Sequence, residues 1–216
     1  LMYGRDHFEA RQPTKASVES ITSSDMRACA QKVFQPGNLI IGVTGDFKKD
    51  EMIARLDKAM AGWAKGERMP DAPAPVASVS PGVYRVEKDI PQGKVFLGYR
   101  GVARDDPDYF PLLIMNDVLG GGGFTSRLMS RIRSDEGLSY GVRSAWDMPV
   151  EYPGVFSVTY ASKNPTVALA LKICLEEIEK IRNADVPEAE IETARASFIE
   201  TFPRTFESKQ AMINVF

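Results

Sequence analysis

The chain has 216 residues, 44% hydrophobic and 26% charged, which excludes a disordered or low-complexity polymer and suffices for one large domain or one domain with part of another. A formal net charge of −2 gives no electrostatic footprint for nucleic acid. No apolar run approaches the roughly 18 residues of a membrane span.

His7, the single histidine, is followed by Phe8 and Glu9 and has no ligand partners nearby, so it reads as a surface or loop residue. Ser24 or Asp25 can cap a helix in which Met26, Cys29, Ala30 and Val33 recur at helical spacing, and Pro36-Gly37 ends it. A buried strand is expected at Leu39 to Thr44, then an amphipathic helix at Asp50 to Met60 with Ile53, Leu56 and Met60 on one face. Between Lys65 and Pro81, Pro70, Pro73, Pro75 and Pro81 alternate with small residues, as in a semi-extended linker.

Val83 to Glu87 and Val95 to Tyr99 read as strands, and Asp108 to Leu119 as a helix that turns Phe110 and Leu113 inward. Val142 to Met148 and Val155 to Ala161 read as paired strands about a Pro-Gly turn. Pro165 opens a long helix with Val167, Leu171, Cys174, Ile178 and Ile181 as its core stripe, and Pro187 opens the next, with Ile191, Ala194 and Phe198 apolar. This order predicts an α+β fold, helices covering one face of a largely antiparallel sheet. Cys29 and Cys174, with 144 residues between them and each in a helical apolar pattern, read as buried free thiols rather than a disulfide or zinc ligands.

The densest signal lies between these strands. Gly120, Gly121, Gly122 and Gly123 form a four-glycine turn, after which Thr125 or Ser126 can cap a short helix that buries Leu128 and Ile132. That helix carries Arg127, Arg131 and Arg133 on its polar face, and Asp135-Glu136-Gly137 turns the chain into a strand starting near Leu138. Arg133 and Tyr140 therefore flank one tight turn and can point at the same place. Arg127 and Arg131 read as solvated or salt-bridging. A phosphate-binding loop would need a lysine after the glycines, and a dinucleotide fingerprint would need glycine where Thr125 or Ser126 stands, so both readings fail.

The run Gly120 to Leu128, Arg131-Ile132-Arg133 and Gly137-Leu138-Ser139-Tyr140 closely resembles the second domain of the pitrilysin-like zinc metallopeptidases, the group containing insulinase and the mitochondrial processing peptidase. The resemblance covers most of the chain. Asn38 to Phe47 is similar to the family's strand near the end of its first domain, and Phe202 to Gln210 to a later helix of the second. It implies that residues 1–64 are the C-terminal part of a first peptidase-like domain, 65–81 the connection, and 82–216 a second, noncatalytic domain truncated at its C-terminus. It also implies that Arg133 and Tyr140 hold the substrate backbone near the scissile bond.

The family's H-x-x-E-H signature is absent. In the family it lies upstream of the point where this chain begins, so the resemblance implies a part of a longer protein. No catalytic residue, metal ligand or cofactor is then expected in this chain. Zinc and its general base would come from another domain of the same polypeptide or from a partner subunit. The expected partners are that zinc domain and a peptide substrate. Two functions stay open: a substrate-positioning half of a zinc metalloendopeptidase, or a catalytically silent structural or assembly subunit.

Overall fold

The computed structural model describes residues 2–4, 6–63, 66–75 and 80–215. They form two compact units, one from residues 1–11 and 72–200 and the other from 12–71 and 201–216. The expected linker falls partly outside the described residues, at 65 and 76–79, and its described part holds neither helix nor strand.

The second unit begins with α1 (Lys15–Glu19), α2 (Ser23–Val33) and α3 (Lys49–Met60). Thr14 and Thr22, not Ser24 or Asp25, cap the first two: each hydroxyl accepts a backbone N–H three residues on. The apolar spacing of α2 and α3 matches the prediction, but the faces are not covered: Met26 is 66% exposed, and Cys29 is exposed rather than buried. The strand expected at Leu39 to Thr44 is also overturned. A strand exists only against a hydrogen-bonding neighbour, this segment pairs with none, and Ile40 is 93% exposed.

The first unit is built on an antiparallel sheet of β1 (Gln92–Arg100), β2 (Val142–Asp147) and β3 (Val155–Lys163), in the order β1-β3-β2. Val95 and Val142 flank Tyr160, while Leu97 and Ser144 flank Val158. Since side chains alternate, this puts Phe156, Val158 and Tyr160 on one face with Val142, where all four are buried. The strand expected at Val83 to Glu87 is not formed: Val83 and Val86 project into solvent, and the sheet starts at Gln92.

Three helical segments cover the inner face, as the α+β reading predicts. The first is α4 (Tyr109–Asn116), which widens into a π-helical turn over Asp117–Gly121. The second is the single turn α5 (Arg127–Met129), which widens likewise over Ser130–Asp135. The third is α6 (Val167–Asn183), which buries Ala170, Ile173, Cys174 and Ile178 against Leu119, Leu128, Ile132 and the sheet. Tyr160 Oη donates to Val167 O at 2.8 Å, tying β3 to the start of α6, and burial pushes its pKa up to about 12. Phe110, expected inside, is 73% exposed.

Next come α7 (Glu188–Thr201) and, in the second unit, α8 (Lys209–Ile213). His7 is a further correction, being 6% exposed rather than a surface residue. It is packed among Tyr3, Phe8 and Tyr152, with Nδ1 accepting from Glu9 N and Nε2 3.3 Å from Pro73 O. Its partners at 73 and 152 are too far along the chain to show in local sequence.

Candidate functional site: an arginine held between two rings

The four glycines do not form one turn. Gly120 and Gly121 end the π-helical turn after α4, and only Gly123, at φ +66°, needs the left-handed backbone that glycine allows. Gly120 answers to space instead: a Cβ there would lie 2.6 Å from Ser144 Oγ and 2.9 Å from Leu128 Cδ1. Ser144 Oγ is itself fixed by donating to Asn116 Oδ1 at 2.8 Å. The glycine-rich segment is thus pressed onto β2, and Gly123-Phe124-Thr125 loops over as one 3₁₀ turn.

Ser126 stands at the N-cap of α5 with extended backbone, but it does not cap by accepting a hydrogen bond. Its buried hydroxyl donates back to Gly123 O at 2.7 Å, and Thr125 Oγ1 donates to Gly122 O at 3.1 Å. Both close the loop carrying Phe124 rather than the helix N-terminus.

Beyond the second π-helical turn, Leu138 N donates to Ile132 O at 2.8 Å and Gly137 takes φ +60°. The chain does not enter a strand at Leu138 as expected; pairing begins at Val142. Two serines pin the intervening turn to β3. Ser139 Oγ lies 2.7 Å from Ala161 O, and Ser162 Oγ donates to Leu138 O at 2.8 Å. With Ser139 buried, the next residue faces outward, and Tyr140 is 87% exposed.

The three arginines of this segment part company. Arg127 Nε donates to Glu190 on α7 at 2.7 Å, and Arg131 donates to the buried carboxylate of Glu177 on α6 at 2.8 Å. Both are structural ion pairs, as the sequence suggested. Arg133 has no carboxylate partner among the described residues. Its guanidinium carbon lies 4.5 Å from the ring centroid of Phe124 and 4.8 Å from that of Tyr140. The structure therefore brings Arg133 and Tyr140 together and adds Phe124, which the sequence reading missed. Phe124 is 69% exposed, and its one mark in the sequence, an aromatic residue set among glycines and hydroxyl residues, does not show its approach to Arg133.

Cation–π attraction of about 0.5–1 kcal/mol per exposed ring holds the guanidinium beside the rings. Neither the Arg133 donors nor the Tyr140 hydroxyl meets a protein acceptor among the described residues. With both rings this close, the guanidinium fork and the Tyr140 hydroxyl can be offered to a planar acceptor such as a peptide carbonyl or a carboxylate.

The described residues of this chain do not fit zinc. Both nitrogens of His7 are engaged by backbone groups, and no three His, Cys, Asp or Glu side chains converge among the described residues. Among the described residues no helix is long and apolar enough to cross a membrane.

Comparison with known proteins places the fold. The family described as "Peptidase M16 inactive domain" matches residues 20–198. The non-peptidase homologue YmxG of Helicobacter pylori is 30% identical over 205 residues, 93% of this chain and 46% of YmxG. An uncharacterized zinc protease of Mycobacterium tuberculosis is 26% identical over 184 residues, 84% of this chain and 42% of the relative. The chain thus spans about half the length of the curated relatives it matches. Among solved structures, a peptidase M16 inactive domain from Pseudomonas fluorescens superposes with a TM-score of 0.84 at 27% identity, over 99% of this chain and 50% of that one.

Proposed function

We propose that this chain, which belongs to the peptidase M16 inactive-domain family, uses the Phe124–Arg133–Tyr140 arrangement to hold the backbone of an extended peptide for hydrolysis by a zinc centre located elsewhere. The observation that carries this reading is Arg133 itself. Its two neighbouring arginines are consumed by buried or half-buried carboxylates, whereas its own donors are left free between two exposed rings. A guanidinium with no acid partner among the described residues and two aromatic rings beside it is arranged for an outside acceptor, and a peptide carbonyl meets that need.

Relatives named zinc proteases support zinc in the wider family. In this proposal the metal and general base belong to another domain of the same polypeptide or to a partner subunit. Residues 1–64 are then the end of a first peptidase-like domain, 65–81 the connection, and 82–216 the second, noncatalytic domain. The role of Arg133 and Tyr140 is to orient the carbonyl and support the oxyanion as it forms.

The test is turnover by the active enzyme that contains this chain. Arg133→Ala and Tyr140→Phe should each lower kcat by about 10²–10³, the usual effect of losing one preorganised donor, with folding and zinc content intact. Arg133→Lys should fail as well, because an ammonium cannot reproduce the fork. Arg127→Ala, which removes the Glu190 ion pair, should lower thermal stability more than turnover. Wild-type rates in the Arg133 and Tyr140 variants would favour the second reading, a structural subunit, to which the non-peptidase name of YmxG lends support.

A further inference from the structure

The site continues onto a sheet face whose charge is one-sided. The register places Lys94 and Phe96 of β1, Thr159, Ala161 and Lys163 of β3, and Arg143 of β2 on the face opposite the core. Phe96 is 61% exposed there. Lys94 pairs across with Ala161, and Gln92 with Lys163, two residues along; Thr159 lies between Phe96 and Arg143. From strand spacing and rise, Lys94 falls about 8 Å from Lys163 and about 12 Å from Arg143, with Lys163 and Arg143 about 14 Å apart. None has an ion-pair partner among the described residues. The one carboxylate on this face of the strands is Asp147, four residues along β2 from Arg143 and so about 13 Å away.

A groove of about 520 Å³ opens at this cationic end, lined by Lys94, Arg143, Thr159, Ala161, Gly141 and Met129. Gly141 follows Tyr140 in the chain, and Met129 lies four residues before Arg133 on the same helical segment. The groove therefore borders the segments that carry Arg133 and Tyr140.

We infer that the groove selects acidic peptides, with glutamate or aspartate side chains of the bound strand set opposite Lys94 and Arg143. The inference rests on the peptide-holding reading and names the substrate class of that same site. An extended peptide presents alternate side chains to one face about every 7 Å, so acids four positions apart, about 14 Å, bracket the roughly 12 Å between Lys94 and Arg143. The chain as a whole is net negative at −2, so the preference comes from this local surface and not from overall attraction. Each exposed pairing is modest, and screening by salt identifies it as electrostatic.

The test measures binding of two fluorescein-labelled nine-residue peptides to the full chain by anisotropy. One carries Glu at alternate positions and the other Gln in its place. The acidic peptide should bind about tenfold more tightly at 50 mM salt, and the advantage should shrink to about twofold at 500 mM. Lys94→Gln/Arg143→Gln should remove most of the advantage while leaving the far-UV circular dichroism unchanged. Equal affinities for the two peptides, with binding still lost in Arg133→Ala, would overturn the acidic preference and leave the peptide-holding reading standing. Binding that survives Arg133→Ala and Tyr140→Phe would sink the peptide-holding reading even where a charge preference remains. No binding of either peptide would refute both.

Discussion

Arg133 and Gly120 show how residues of one type are put to different uses within a few positions. Three arginines share a helical segment, and the difference between structure and site is whether a carboxylate stands within reach: Glu190 and Glu177 take two, and two rings take the third. The seven-residue spacing of Arg133 and Tyr140 across a Gly137 turn was legible, because a tight turn brings its flanks together whatever the rest of the fold does. Phe124 was not legible, since its approach depends on how a glycine loop folds over a helix, and loop closure leaves no periodicity. Among the glycines, Gly120 answers to space and Gly123 to backbone angle. Gly120→Ala should therefore destabilise by about 1–3 kcal/mol through overpacking against Ser144 and Leu128, and Gly120→Asn by more. Gly123→Ala should cost about 1–2 kcal/mol, with Gly123→Asn recovering much of it because asparagine tolerates the left-handed region. Urea unfolding of the four variants separates the two causes; equal losses at both positions for Ala and Asn would show that they are not distinct.

At the level of elements, periodicity identified what packs on the sheet and missed what the sheet lacks. The stripe expected in the long helix is the buried side of α6, with Ala170 and Ile173 added, because a 17-residue amphipathic helix has few ways to sit on a hydrophobic sheet. The helix preceding the glycines ran further than expected, as a π-helical turn carries it through Gly121, and widened turns have no sequence period of their own. Leu39 to Thr44 and Val83 to Glu87 have strand composition, but a strand needs a neighbour and composition cannot supply one. The two cysteines give a test of helix packing. Cys174 is fully buried in α6, and desolvation pushes its thiol up to about 12, so at pH 8 about one part in 10⁴ is the reactive thiolate. Cys29 on α2 is exposed. Iodoacetamide at pH 8 should modify Cys29 in the native chain and reach Cys174 only after denaturation, as followed by peptide mass mapping. Comparable labelling of both in the native chain would mean that α6 leaves the sheet on the labelling timescale.

Across the whole molecule, burial is divided unequally between the two units. Every core residue from Leu119 to Ala194 belongs to the first, whereas no described residue of the second is buried. The apolar stripes of α2 and α3 are nonetheless real, and Phe34 at 68% exposure and Ile40 at 93% extend the apolar surface of that unit. Contiguous apolar surface beyond a few hundred Å² marks an interaction face or an association hazard. The proposal that residues 1–64 end a first peptidase-like domain supplies the reason: such a face would meet the rest of that domain. In isolation the chain should therefore self-associate, with a weight-average sedimentation coefficient that rises with concentration, and should enhance the fluorescence of an apolar dye. Phe34→Lys/Ile40→Lys should shift it toward monomer. Because both side chains are already in solvent, the change in stability should stay within about 0.5 kcal/mol per site. A wild-type chain that sediments as a monomer throughout, with no dye enhancement, would show that these side chains do not form one surface, and the physical support for assigning residues 1–64 to a separate domain would fall with it.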